Sequence, residues 1–277
     1  MIKRKERLWK RLQKNRSFQK FLTFFLPVLL GVLLVTAWQT QLLHKLLGTD
    51  VFTLPLPARI LTIISENGSK IMENVQATVI VALLGLVFGS LIGYLIAILA
   101  SMFPKWGSGG LSIVAAFNAI PIVALAPVKT NWTRGVSEDA NTRSMAAKVI
   151  VVSIVCIANM SISAFRGLTD LKPFAEDLMT SYAAGRMAIF RKLLLPNSVP
   201  YVFTALKVAV PASVIGALVS EYFAEYITGV GRQIRENIVI AQYAVAWAYI
   251  AVACLIGIIM YMILILLEGI ILKHRGK

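Results

Sequence analysis

The sequence predicts an all-α integral membrane protein of about six transmembrane helices, and three observations predict it. Of its 277 residues, 58% are hydrophobic and only 15% are charged, and the mean hydropathy is +0.76. That is too apolar for a water-facing domain built around one core. Four stretches carry no Asp, Glu, Lys or Arg: the run between Lys20 and Lys45, Asn74 to Pro104, Trp106 to Val128, and Asn237 to Leu267. Each is long enough to cross a hydrocarbon layer about 30 Å thick, which needs roughly 20 helical residues. Finally, a polar, basic loop at 166–200 lies between two further apolar runs, Val149 to Phe165 and Tyr201 to Tyr222.

Orientation follows from the positive charge. The first twenty residues hold Lys3, Arg4, Lys5, Arg7, Lys10, Arg11, Lys14, Arg16 and Lys20 against the single acid Glu6. The excess retains this end in the cytoplasm. Leu8, Trp9, Leu12 and Phe18 make the arm an interfacial helix on the inner leaflet. Its long basic region and span-length apolar run are not those of a cleavable signal peptide.

The first span leads out to an external segment, Lys45 to Glu73, in which the prolines of LPLPAR impose an extended or turned backbone. ILTIISENGSKIM follows as a surface helix. In the second span Gly85, Gly89 and Gly93 recur every fourth residue, a smooth face for close helix packing, either within the subunit or between two subunits. Tyr94, Trp106 and Trp132 read as interfacial anchors.

The fifth span tolerates Pro211, and Lys207 can snorkel towards the 166–200 loop. Six crossings return the tail to the cytoplasm. The organisation is therefore a basic cytoplasmic arm at 1–20, one transmembrane domain at 21–272 containing the cytoplasmic loop 166–200, and a cytoplasmic tail at 273–277.

Several function classes find no support. The net charge of +15 reflects topology signals and anionic-lipid contacts rather than nucleic-acid binding, since no RNA-binding or helix-turn-helix signature accompanies it. No phosphate-cradling G-x-x-x-x-G-K-[ST] loop is present. Cys156 and Cys254 are lone thiols within spans, His44 and His274 stand far apart, and no ligand cluster has metal spacing. Gly229 to Gly231 reads as an external turn.

Within the loop, Asp170 and Pro173 form a helix-start signal, and a helix from there places Phe174, Leu178 and Tyr182 on one stripe. A second helix through Ile189 to Leu195 should end before Pro196. Ala183, Ala184 and Gly185 between them permit a tight turn.

The loop resembles the signature of permease subunits of binding-protein-dependent ABC transporters: Glu-Ala-Ala, three residues, Gly, nine residues, Ile, one residue, Leu-Pro. Leu195 and Pro196 match the closing Leu-Pro, Leu193 the Ile, Ala183 the Gly, and Asp177, Leu178 and Met179 the Glu-Ala-Ala. Asp replaces Glu and alanine replaces the central glycine, with Gly185 two positions later. Further segments are similar to the nitrate, sulfonate and taurine branch and its pyrimidine, thiamine-precursor and riboflavin-like relatives. These are LPLPARIL from Leu54, AFNAIPIVALAPVKTNW from Ala116, FRGL from Phe165, LPNSVPYVFTALKVA from Leu195, and GALVSEYF from Gly216.

The resemblance implies a non-enzymatic importer subunit of a prokaryotic cell membrane that binds no cofactor itself. It works with a second permease subunit, either another copy or a relative, and with two cytoplasmic ATPase subunits that use ATP and Mg. An extracytoplasmic binding protein delivers the solute. The loop's short coupling helix would dock in an ATPase groove. Tyr182, Ala183, Ala184, Gly185, Met187 and Phe190 are the expected contacts, with Arg186, Arg191 and Lys192 at the rim, where the last two could instead face lipid phosphates.

Polar residues in apolar spans face either a pathway or a neighbouring helix. Those residues are Asn118, Asn159, Ser213, Glu221 and Glu225. Glu221 matches an acidic residue of the family and could alternatively pair with Arg232 or Arg235. The competing reading is an ion-coupled secondary transporter, which would show inverted repeats and midplane ionisable groups. A membrane enzyme would need convergent catalytic groups. Neither pattern is evident in the sequence.

Overall fold

Helices form where the apolar runs predict them, because hydrocarbon leaves no partner for a backbone amide except another backbone group. The computed structural model describes residues 16–116, 135, 139–224 and 228–273. The chain divides into two units, Met1–Glu66 and Asn67–Lys277.

The first unit contains α1 (Arg16–Gln39), α2 (Leu42–Leu47) and α3 (Pro57–Glu66). Leucines 26, 30, 33 and 34 of α1 are all exposed, the appearance of a helix whose solvent is lipid. The His44 ring nitrogen Nε2 lies 2.6 Å from the Leu54 carbonyl, and Gln39 Oε1 accepts from the Ala58 amide at 3.1 Å. That second bond caps α3 from outside the helix. Bonds from Thr53 hold the Asp50 carboxyl below its ordinary pKa. The expected surface helix ILTIISENGSKIM is split: α3 stops at Glu66, and Gly68 to Met72 begin the next long helix.

The second unit contains α4 (Gly68–Met102), α5 (Pro104–Ala116), α6 (Ala140–Thr169), α7 (Ala175–Ser181), α8 (Arg186–Ile189), α9 (Leu195–Tyr222), α10 (Val230–Val239) and α11 (Tyr243–Lys273). Among the described residues, five helices are long and apolar enough to span a membrane: α1, α4, α6, the rod through α9 and α11. Of the expected third span, Trp106 to Val128, only the part within α5 is described. Asn118, Trp132, Glu225 and most of the Ala116–Trp132 segment lie outside the described residues.

α6 starts earlier than its uncharged run suggests. Asp139 accepts the Thr142 amide at 2.9 Å and its hydroxyl at 2.7 Å, an N-cap that draws Arg143 and Lys148 into the helix. The same bonds keep the Asp139 carboxyl below its ordinary pKa.

α4 and α6 form the most extensive helix contact, and the glycine face makes it. A Cβ added at Gly89 would lie 2.5 Å from the Ser153 carbonyl, and one at Gly93 would lie 2.6 Å from that of Ile157. Gly85 fits against Val152. The glycine stripe therefore packs within the subunit. Tyr94, expected at an interface, is instead half-buried beside Ala97, Met160, Ala164, Leu168 and Ala205, with its hydroxyl 2.8 Å from that of Ser198. The buried partner satisfies its polar end, so no water-facing position is needed.

Because α4 cannot retreat without losing this face, Gly89→Val should destabilise the purified protein by about 1–3 kcal/mol, the usual cost of overpacking. The readout is the apparent melting temperature in detergent. Gly257→Ala, which meets nothing within 4 Å, should leave that temperature unchanged.

Candidate functional site

Two polar assemblies stand at opposite ends of the second unit. The exposed one is the 166–200 loop, whose base is clamped. Asn197 Nδ2 donates to the carbonyls of Gly167 at 2.8 Å and Asp170 at 3.0 Å, satisfying acceptors at the end of α6. The Tyr201 hydroxyl donates to Asp170 Oδ2 at 2.8 Å. Asp170 is thus the C-cap of α6 and not the start of the next helix, because its carboxylate is already engaged. Gly167 is required here, since a Cβ would lie 2.8 Å from both Ser198 Cα and Tyr201 Cβ.

From Asp170 the chain turns through Lys172 to Ala175 with Phe174 in the left-handed region at φ +62°. α7 then ends in a Schellman motif. The Ala183 amide donates to the Thr180 carbonyl at 2.8 Å, and the Ala184 amide to that of Met179 at 3.1 Å. This places Ala183 at the left-handed position, φ +53°, where glycine is usual. Gly185 is extended and has open space around its Cα. The left-handed residue of the turn is therefore Ala183, the one aligned with the family's glycine.

The rest of the loop departs from expectation at Pro196. α8 passes through a π-helical turn, Phe190–Leu194, straight into α9 without a break. A proline lacks an amide and crowds the preceding turn, and the wider π turn before it relieves both demands. Phe174 and Tyr182, at the two caps of α7, are each 80% exposed, Met187 62% and Leu178 58%, so among the described residues these large apolar side chains stand uncovered. Asp177, Arg186, Arg191 and Lys192 are exposed around them, and Ala184 is half-buried. Phe190 turns inward and packs on the Met160–Leu168 cluster, joining the loop to the membrane core.

The second assembly is buried. Gly229, Val230 and Gly231 open α10 with three amides that the helix itself cannot pair. Each is met by a side chain from another helix. Asn74 Oδ1 accepts from Gly229, Thr78 Oγ1 from Val230 and Glu221 Oε2 from Gly231, all at 2.9 Å. The Thr78 hydroxyl donates to Glu221 Oε2 at 2.9 Å. A carboxylate at a helix N-terminus is favoured by the exposed amides and the helix dipole.

Glu221 is completely buried, and Lys148 is close enough to attract it while donating to the Thr228 carbonyl at 3.2 Å. Gly229 has φ +111°, and a side chain there would collide with the Glu221 carboxyl group. Of the arginines offered as alternative partners, Arg232 pairs with Glu236 at 2.6 Å, and Arg235 lies over the Tyr222 ring.

Ser213 is also fully buried and donates to the Val210 carbonyl at 2.8 Å, while Asn159 is half-buried and donates to Val155 at 3.2 Å. Sequence reasoning overlooked Asn74, Thr78, Lys148 and Asn197. The available signal was Asn74 and Thr78 at i and i+4, two polar residues on one face of an apolar helix.

Ala183→Gly should remove about 1 kcal/mol of left-handed strain and raise hydrogen-exchange protection at amides 183 and 184, whereas Ala183→Val should lower it. Thr78→Val should cost about 1–3 kcal/mol for each buried group it leaves unpaired. A denaturant titration of the purified protein against Ser153→Ala measures that loss.

Residues 85–274 match the model of the binding-protein-dependent transport system inner membrane component family. The chain is 25% identical to the formylaminopyrimidine transport permease ThiX of Halalkalibacterium halodurans, over 91% of this chain and 96% of that one. It is 26% identical to the riboflavin transport system permease RibX of Chloroflexus aurantiacus, over 95% of both. The nitrate import permease NrtB of Leptolyngbya laminosa is 24% identical over 55% of this chain and 50% of that one.

The fold matches a bacterial ABC transporter involved in the import of alginate, with TM-score 0.61 and 14% identity over 98% of this chain and 100% of that one. It also matches the methionine ABC transporter MetNI in an inward-facing conformation, with TM-score 0.54 and 17% identity over 70% of this chain and 94% of that one. A family match across more than half the chain, on a helical membrane fold shared with these transporters, has one reading: the chain belongs to the inner membrane components of binding-protein-dependent transport systems, as a permease subunit of an ABC importer.

Proposed function

We propose that this permease takes its driving force from a separate cytoplasmic ATPase through the exposed stripe of the 166–200 loop. The observation that carries this reading is the uncovered row of Phe174, Leu178, Tyr182 and Met187 on a loop whose base is rigidly clamped. Large apolar side chains held out on a short helix are what a partner groove engages. Ala183, Ala184 and Gly185 form the tip that allows close approach, and Arg186, Arg191 and Lys192 supply a basic rim. Asp177, Leu195 and Pro196 frame the segment, while Phe190 passes displacement inward. ATP and Mg belong to the ATPase, two copies of which act on two permease subunits, this chain with a second copy or a relative.

In this reading the loop and both termini face the cytoplasm of a prokaryotic cell, and surrounding lipids contact the basic arm. An extracytoplasmic binding protein delivers a small solute at the other end. The formylaminopyrimidine and riboflavin permeases match almost the whole chain and the nitrate permease half of it, which favours a nitrogen heterocycle over an inorganic anion. Of the polar span residues, Asn159 keeps partial exposure and is the pathway candidate among the described positions. Asn118 and Glu225 are assigned to the same pathway. Ser213 and Glu221, being wholly buried, serve it by holding helices in place.

Gly185→Arg tests the coupling surface, because the free subunit has room for the side chain. Co-purified with the products of neighbouring genes, the parent should retain an ATPase subunit. The variant should insert normally but retain it at least about tenfold less, the effect of losing one well-packed contact. Equal retention removes the loop from the interface. A cysteine at position 172 should react with an impermeant reagent only from the cytoplasmic side.

A further inference from the structure

The ion pair between Lys207 and Glu268 joins two spans, and it stands beside a void. Lys207 Nζ lies 2.7 Å from Glu268 Oε2 and donates to Oε1 at 2.8 Å. Lys207 is in α9, about 18 Å along the helix from Leu195, and Glu268 is in α11, about 8 Å before its end at Lys273, at 1.5 Å per residue. Their side chains are only 34% and 19% exposed in the isolated subunit. The lysine therefore does not snorkel alone towards the loop. It is held by a carboxylate in an environment where an unpaired charge is strongly disfavoured.

Beside the pair, after Lys207 in α9 and before Glu268 in α11, α11 stands off α4 across an apolar pocket of about 410 Å³, lined by Val79 and Leu83 of α4 and by Ile256, Met260 and Leu264 of α11, with Val210 the α9 residue at its edge. Apolar contacts across such a space are non-directional and leave neighbouring helices free to slide. A charge-assisted contact in low dielectric fixes both distance and register.

The rod that carries Lys207 is continuous from Arg186 in the loop to Tyr222. We infer that Lys207 and Glu268 are positioning residues for transport: they pin α11 to α9 so that a displacement entering through the loop reaches both spans together. The pair is a mechanical link, with no substrate contact assigned to it. The inference uses the proposed coupling reading for the origin of the displacement.

The test is spin-label distance measurement in the complex with its co-purified ATPase in nanodiscs, on a Cys156→Ala, Cys254→Ser background. Labels at Leu91 and Thr204 report α9 against α4, and labels at Leu91 and Ile271 report α11 against α4. In the parent, ATP with vanadate should change both distances. In Lys207→Met with Glu268→Gln, which keeps the helices apolar and uncharged, the first change should persist and the second should be lost. Lys207→Glu with Glu268→Lys should restore it. A 91–271 change in the neutral pair equal to that of the parent overturns the inference alone. No ATP-dependent change at either distance in the parent overturns the coupling reading, and this inference with it.

Discussion

Every polar group at a helix end has to find a partner when hydrocarbon surrounds the helix, and this requirement organises both ends of the permease. At one end, three amides that open α10 are met by Asn74, Thr78 and Glu221 from two other helices. At the other, two carbonyls that close α6 are met by Asn197 from the start of α9. Neither set of partners lies in the helix it caps. Satisfying the backbone therefore fixes how α4, α6, α9 and α10 stand to one another, more specifically than apolar contact between interchangeable Leu and Val side chains can.

Between the two caps the packing is set by what is missing from the side chains. Gly85, Gly89 and Gly93 let α4 approach the backbone of α6 directly, and Gly167 does the same for α6 against the base of α9. Close approach increases dispersion contact where no hydrophobic gain distinguishes protein from lipid. The looser contact between α9 and α11 is held by charge instead, so the subunit combines a tight seam on one side of α9 with a pinned one on the other.

The spans and the loop were legible in the sequence because composition and spacing alone determine them. The uncharged runs predicted α1, α4 and α11, and the stripe of Phe174, Leu178 and Tyr182 followed from a spacing of four. The glycine face was legible as a packing surface, though its partner was not. What escaped was every feature that depends on a distant residue. Asp170 has the composition of a helix start, yet Tyr201 occupies its carboxylate. Tyr94 has the composition of an interfacial anchor, yet its hydroxyl is hydrogen-bonded with that of the buried Ser198. Pro196 reads as a stop, but five residues of wider helix before it carry the chain through. Glu221 reads as a partner for nearby arginines, yet its carboxylate accepts from Thr78, 143 residues away.

That widened turn has a geometric consequence. One residue more than the α-helical pitch requires turns the side chains before it by about 100° relative to an unbroken helix, since 3.6 residues make a full circle. The π turn thus sets the azimuth at which the loop's side chains leave an otherwise continuous shaft.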